Sequence, residues 1–460
     1  MQSNSALMPV VSAASLMDGQ QPLRSADDVL AAIEGRIIQG LLGPGQRLPP
    51  VRVAAQQFGL APNTVAAAYR KLTERGLAHG EGRRGTFVTD RGSSEQFPMR
   101  VTGADMTDLS SGNPDPRLLP DLHGAIRRIP TARVEYGTDP IDPQLAATLG
   151  AELSRDLQTS SPFVAGEDLA IVSGALDGIE RVMTAHLRPG DRVAVEDPGY
   201  PSILNLMKAM SLRPVPMAID PSGPTPGGLA TALEAGARAV VLTPRAQNPT
   251  GAAVTAARAA ELNAIVAGRP EVVLIEDDHA GPIAGAAHRT IIGPETRHWA
   301  VIRSVAKSLG PDLRVAGLVG DHTTVGRVIN RQLLGTGWVS HLLQRTTATL
   351  LADPDRRSNF DQVAAEYEDR RRLVIDILAG HGVSAWGATG LNVWVPVADE
   401  ADAVAAMQRR GYAVLAGTRF RQDSGPAIRL SIGVSDAETL ADAATTLAGV
   451  LASGPHHRSA

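Results

Sequence analysis

From residue 23 to about residue 90, the apolar positions recur with a helical period and then switch to short alternating runs. Val29, Ile33, Ile37 and Leu41 fall every four residues, one stripe of a first helix that Gly43-Pro44-Gly45 should end. A second short helix is expected from about Val51 to Phe58, stopped by Gly59. A third follows Ala61-Pro62, with Val65, Tyr69 and Leu72 on its buried face and Gly76 beyond its end. A first-turn proline gives up no needed hydrogen bond. Leu77-Ala78-His79, a turn at Glu81-Gly82-Arg83-Arg84-Gly85, and Thr86-Phe87-Val88 then read as a hairpin.

Past a polar stretch at 91–107, short β-branched runs alternate with helical stretches: 170–172, 192–195, 239–243, 272–275, 299–302 and 315–319. That rhythm predicts an α/β body, a mostly parallel sheet covered by helices. From about Phe360 a long helix through Leu378, then strands at 391–395 and 428–432, predict a smaller α+β subdomain at about 360–452. Residues 1–22 are polar and small and are expected to be a disordered tail. The expected organisation is therefore a tail, a helical module with a hairpin at 23–90, a linker at 91–107, and a body at 108–460.

Composition narrows this picture. The 460-residue chain is 43% hydrophobic and 20% charged, which is ordinary globular usage and enough for more than one buried core. It has no cysteine, which excludes a disulfide framework, a thiolate metal site and a cysteine nucleophile, and fits a reducing compartment. The first 22 residues hold no Lys or Arg, and no apolar run approaches membrane-spanning length. A soluble, cytoplasmic protein is expected. The net charge of -4 hides a split, since residues 23 to 92 carry ten Lys/Arg against six Asp/Glu while the later residues are acidic. A basic front module ahead of an acidic body points to a polyanion partner for the front end alone.

On the third helix, Asn63, Thr64, Ala67, Arg70 and Lys71 fall on the polar side. When such a helix lies in the major groove, its amino-terminal polar residues reach base edges. Asn63 suits bidentate pairing with adenine, Arg52, Arg70 and Lys71 suit phosphates, and Arg83 and Arg84 suit the minor groove or the backbone. Leu48-Pro49-Pro50-Val51-Arg52-Val53-Ala54, then Asn63-Thr64-Val65 with Tyr69 and Leu72, then Gly85-Thr86-Phe87-Val88 resemble the GntR-type winged helix-turn-helix. The resemblance implies double-stranded operator DNA as the partner. It departs at Ala61, where the pattern has a serine cap; alanine there costs about 1 kcal/mol of helix stability, partly offset by Pro62.

Only three of the 44 basic residues are lysine: Lys71, Lys208 and Lys307. Arginine cannot form an imine, so a lysine kept in a site-like setting stands out. Lys307 follows an apolar strand within Ser304-Val305-Ala306-Lys307-Ser308-Leu309, and Arg314 comes seven residues later. An arginine there would depress the amine's pKa and hold a phosphate. Ser173-Gly174-Ala175 turns a strand into a helix whose first N–H groups suit an anion. Asp277 ends the run 272–275, is followed by Asp278 and His279, and would keep a pyridine nitrogen protonated. It is favoured over Asp278 as nearer the strand end. Asn248, in Asn248-Pro249-Thr250-Gly251, would donate to a phenolic oxygen, Tyr200 would stack on a ring, and Arg429 would clamp a carboxylate bidentately.

In order and spacing, Tyr136, Ser173-Gly174-Ala175, Tyr200, Asn248, Asp277, Lys307, Arg314 and Arg429 resemble the fold-type-I aminotransferases over about residues 108–452. Joined to a winged helix through a linker, the chain resembles the MocR subfamily of GntR-type regulators, in which an aminotransferase-like domain senses ligands. The resemblance implies pyridoxal 5'-phosphate (PLP) as cofactor and Lys307 as its Schiff-base lysine. It places Asp277 on the pyridinium, Ser173 to Ala175 with Ser304 and Arg314 on the phosphate, and Arg429 on an effector carboxylate. Tyr136 would reach the phosphate held in a partner subunit, which implies a homodimer, domain-swapped or not. His279 stands where the family often has a tyrosine that bonds the phenolic oxygen, and its charge state is open. The expected function is PLP-dependent regulation of transcription in response to an amine, an amino acid or PLP. The alternative is a working aminotransferase that carries a DNA-binding module.

Overall fold

The computed structural model describes residues 23–39, 41–43, 45–74, 77–80, 84–89, 106–129, 133–159 and 163–452. The expected tail, nearly all of the linker, and Arg83 lie outside the described residues. The chain forms two compact units.

The first is built on α1 (Ala26–Ile38), α2 (Val51–Phe58), α3 (Pro62–Glu74) and the antiparallel hairpin β1 (Ala78–Gly80) and β2 (Thr86–Val88). Ser25 opens α1 with a capping box, its side chain accepting from the Asp28 N–H while the Asp28 carboxylate accepts from the Ser25 N–H. The helix stops at Ile38, before the four-residue stripe reaches Leu41. The N–H groups of Leu41 and Leu42 both turn back to Arg36 O, which rotates these residues off the stripe. Leu41 is consequently 59% exposed, and Leu42 takes the buried place. Gly59 ends α2 in the left-handed region at φ 67. Ala61 has no side chain to cap with, and its carbonyl alone opens α3, accepting from Thr64 and Val65. Val29, Ile33, Phe58, Val65, Tyr69, Leu72 and Val88 share one core. Tyr69 also donates its hydroxyl to Pro49 O at 2.9 Å, tying α3 to the start of α2.

The second unit is α/β. Its first strand, β3 (Thr107–Asp108), pairs in parallel with β13 (Tyr412–Ala413). The large sheet is made of β4 (Leu169–Val172), β5 (Arg192–Asp197), β6 (Arg213–Asp220), β7 (Gly223–Pro224), β8 (Ala237–Leu242), β9 (Val273–Asp278), β10 (His298–Ser304) and β11 (Ala316–Gly320). Their spatial order is β4-β11-β10-β9-β8-β5-β6-β7. Strands β8, β9 and β10 run parallel, and β11 is antiparallel to both of its neighbours. All of β9 and β11, and all of β4, are buried, as a sheet with both faces covered requires. Strand β6 is not legible in the sequence, because Pro214 and Pro216 read as breakers. Only two-residue β7 lies beyond it, and strands tolerate proline near an edge. A smaller sheet of β12 (Asn392–Pro396), β15 (Ala427–Ser431) and β14 (Leu415–Ala416) is accompanied by the helices Arg356–Gly380 and Ala437–Ala452, which pack on each other. Among the described residues, no helix is long and apolar enough to cross a membrane.

Candidate functional site

Strand register brings several of the candidate residues of the body to one end of the large sheet. Ser304 and Val172 both stand level with Ala316, and Ile302 stands level with Asp277. Just past each of these strand ends the chain carries a site residue: Ser173-Gly174 after β4, His279 after β9, and Lys307 after β10. Open α/β sheets bind their ligands outside the carboxyl ends of parallel strands.

Successive residues of a strand face opposite sides, and this puts the two neighbouring aspartates of β9 in opposite environments. Asp277 Oδ1 is buried with no hydrogen-bond partner. Burial, then the nearby Asp278 and Glu196 carboxylates, push its pKa up to about 8. Asp278 faces the other way, with Arg245 Nε at 2.8 Å and Arg303 Nε at 2.7 Å. Burial works against its charge, yet the two guanidiniums outweigh burial and hold it well below the usual carboxylate range. Behind it, His288 Nε2 lies 2.7 Å from Glu276 and Nδ1 lies 3.4 Å from Asp278. Of the two aspartates, Asp277 is the one left for a ligand.

Lys307 sits in the turn after β10 and donates from Nζ to Gly112 O. Burial lowers its pKa to about 8, with Arg429 deepening the drop and Asp277 opposing it. The guanidinium that acts on the amine is therefore Arg429. Arg314, expected in that role from its spacing, instead adopts a left-handed backbone at φ 49 and donates from Nη2 to Ser173 O at 3.2 Å. It closes on Gly174, where a Cβ would stand 2.9 Å from that nitrogen. The Ser173 N–H is taken by Asp177 Oδ2 at 2.8 Å. The first-turn N–H groups of the helix Ala175–His186 have no intrahelical acceptor, which leaves them to an anion. Ser304 Oγ accepts from the Ala306 N–H and keeps its own proton to donate.

Arg429, on β15, is buried; it donates from Nη1 to Asn248 Oδ1 at 2.9 Å and from Nη2 to Ser110 O, while its Nε has no partner. Its guanidinium also lies 4.9 Å from the centre of the Phe420 ring. Burial brings its pKa down to about 10, with Tyr200 among the groups that oppose the drop. Asn248 thus commits its oxygen to Arg429 and retains its NH2 group as a donor. His279 Nδ1 is 3.9 Å from Asp277. Burial, then Lys307, bring the His279 pKa down to about 4, so the imidazole is neutral near neutral pH. Tyr136 is not gathered with these groups. It is 96% exposed and meets Trp338 edge-on with ring centres 5.8 Å apart.

This donor set fits PLP: a buried carboxyl oxygen without a partner, an amine of lowered pKa, and an arginine with free helix N–H groups. Sequence reasoning missed Ser110, Gly112, Glu196, Arg245 and Arg303. The first two act through carbonyls, which every residue has. In the front unit, Asn63, Arg70, Arg52 and Arg84 are exposed and Thr64 is half-buried. Lys71 is partly exposed and lies 2.6 Å from Asp27 of α1.

Residues 104–447 match the family described as aminotransferase class I and II, and residues 25–88 match the bacterial regulatory proteins of the gntR family. The chain is 40% identical over 402 residues to the vitamin B6 salvage pathway transcriptional repressor PtsJ of Salmonella typhimurium, a span of 86% of this chain and 91% of that protein. It is 25% identical over 388 residues to the HTH-type pyridoxine biosynthesis transcriptional regulator PdxR of Corynebacterium glutamicum, covering 79% of this chain and 80% of that one. The kynurenine aminotransferase of Pyrococcus horikoshii superposes with a TM-score of 0.67 at 20% identity, over 78% of this chain and 96% of that one. That last likeness is one of fold. A DNA-binding winged helix ahead of a PLP-dependent aminotransferase-like body, shared with a regulator across nearly its whole length, leaves one assignment: the chain belongs to the MocR subfamily of GntR-type transcriptional regulators.

Proposed function

We propose that this regulator controls genes of vitamin B6 salvage and that PLP itself is its effector. The observation that carries this reading is the contrast between the two ends of the site. Asp277 Oδ1 has no partner and the Lys307 amine has a lowered pKa, whereas Arg429 is already committed to Asn248 and Ser110. A carboxylate gripping Arg429 would compete with these bonds, whereas the groups that hold PLP in this reading do not include Arg429. The 40% identity to a vitamin B6 salvage repressor supports the same ligand class. Bound PLP supplies an aldehyde for covalent capture and an electron-withdrawing ring. In this reading Lys307 holds the aldehyde, Asp277 faces the ring nitrogen, and Tyr200 stacks on the ring. Asn248 and neutral His279 donate to the phenolic oxygen, and Gly174, Ala175, Ser304 and Arg314 hold the phosphate.

The test is operator affinity of the full chain, measured with and without PLP and with a panel of amino acids. A change on adding PLP alone is expected. A response to an amino acid only would move the effector to Arg429, and release of a keto acid would favour the aminotransferase alternative.

The same proposal includes a homodimer. Tyr136, 96% exposed beside Trp338, is a large aromatic side chain left open to a partner. A second copy covering it would carry Tyr136 towards the phosphate of that copy and set two winged helices on two half-sites, with or without exchange between chains. At the DNA, Asn63 and Thr64 read bases while Arg52, Arg70, Lys71, Arg83 and Arg84 neutralise phosphates. Arg52→Ala or Arg84→Ala is expected to weaken binding to all sequences alike and to lower the salt slope by about one for each phosphate no longer neutralised. Asn63→Ala is expected to relax base preference at one position, a loss of about 1–3 kcal/mol of discrimination. Binding titrations across salt concentrations and operator variants check both.

A further inference from the structure

The opposite end of the large sheet holds a cavity of about 290 Å³ that faces Arg238, Arg297, Arg327, His186, His298 and a single carboxylate, Glu271. It lies at the amino ends of β9 and β10, where Val273 and His298 stand in register. Four residues of strand separate Val273 from Asp277, about 13 Å, so this is not the cofactor cleft. Neither Arg297 nor Arg327 has a carboxylate partner among the described residues. Arg327 is held by neutral groups instead, donating to Ala185 O at 3.3 Å and to His186 Nδ1 at 3.2 Å. His186 Nε2 donates in turn to Thr324 Oγ1 at 2.9 Å, and the Thr324 hydroxyl donates to Asp321. That relay fixes a neutral His186 and aims the guanidinium. The His186 and His298 rings are 4.7 Å apart. Burial, then His298 and Arg327, bring the His186 pKa down to about 4, against the pull of Asp321, so this imidazole is neutral near neutral pH.

We propose that this cavity is a second ligand site, one that takes the phosphate group of a small phosphate monoester between Arg297 and Arg327. Guanidinium forks match phosphate oxygens two at a time, and unpaired ones give the most when an anion arrives. The volume is at the small end of ligand pockets, room for a phosphate and a few carbons. The helix Ala175–His186 opens at the cofactor phosphate and closes at this cavity, and β9 and β10 likewise run from one site to the other. A ligand here therefore rests on the elements that position Lys307 and Asp277. The inference does not depend on which effector the cofactor cleft takes.

The experiment is calorimetric titration of the full chain, saturated with PLP so that the cofactor's phosphate position is filled, with glycerol 3-phosphate at constant ionic strength. Saturable one-to-one binding is expected in the wild type. The Arg297→Ala/Arg327→Ala protein, shown to be folded by circular dichroism and to retain its bound PLP, is expected to bind about tenfold more weakly or worse. Absence of saturable binding by the wild type overturns the proposal, and so does equal binding by the double variant. Binding that survives in the double variant but is lost in Arg314→Ala would place the anion in the cofactor cleft and overturns it equally.

Discussion

A Lys307→Ala protein is expected to fold normally and to lose the covalent yellow chromophore that the wild type forms with PLP. The side chain's hydrogen bond goes to a main-chain carbonyl, Gly112 O, so its removal strands no buried charge. The unfolding midpoint should move by less than about 1 kcal/mol. Covalent capture of an aldehyde needs the free amine. With the Lys307 pKa at about 8 instead of its ordinary 10.5, far more of that amine is free near neutral pH than on a surface lysine. In the wild type the rate of chromophore formation should accordingly rise with pH and level off above about pH 8. In the variant, the Arg314 and helix contacts to the phosphate remain, and PLP affinity falls by about a hundredfold or more. Visible absorbance and equilibrium dialysis read the two effects separately. A variant that kept the band would remove Lys307 from the site.

The scarcity of lysine made Lys307 visible in the sequence, and the strands that deliver it were visible for a physical reason. Strands buried on both faces need near-continuous apolar runs, and 272–275 and 299–302 are such runs. The partners of these residues were less legible. Arg314 is seven residues from Lys307, but its left-handed backbone turns it to Ser173. The guanidinium that acts on the amine, Arg429, arrives from a strand of the smaller sheet. Asp277 and Asp278 are neighbours in sequence and opposite in environment, and what separates them is Arg245 and Arg303. In a chain where nearly every basic residue is arginine, no local pattern marks those two. Periodicity also failed at Leu41, because it assumes that the helix continues, whereas the Leu41 and Leu42 N–H groups had already turned back to Arg36.

Asp278→Ala is expected to be the most destabilising single change at the site, although Asp278 touches no ligand position. Its side chain is fully buried, and it carries Arg245, itself 5% exposed, and Arg303, 4% exposed. Removing one partner of a buried ion pair leaves the other charge uncompensated, a cost of about 3–5 kcal/mol. Here one carboxylate serves two guanidiniums, which places the loss at the upper end of that range. The pH dependence should change with it. Burial opposes the charge of His288, but the facing Asp278 and Glu276 carboxylates outweigh burial and raise its pKa from 6.5 to about 9. A raised histidine pKa favours the folded state fully below pH 6.5, and that contribution is lost as pH rises through about 9. The wild type should therefore lose stability across that window. Asp278 itself, held far below 3.8, contributes above that value and yields only in strong acid. In Asp278→Ala one of the two carboxylates on His288 is gone, so its pKa falls and the window of lost stability narrows towards neutral pH. Urea unfolding from below pH 6.5 to above pH 9 measures both effects. An unchanged midpoint would mean that Arg245 and Arg303 find other partners, chief among them Asp156, which already lies 2.7 Å from Arg303 Nη2 and 3.4 Å from Arg245 Nη2.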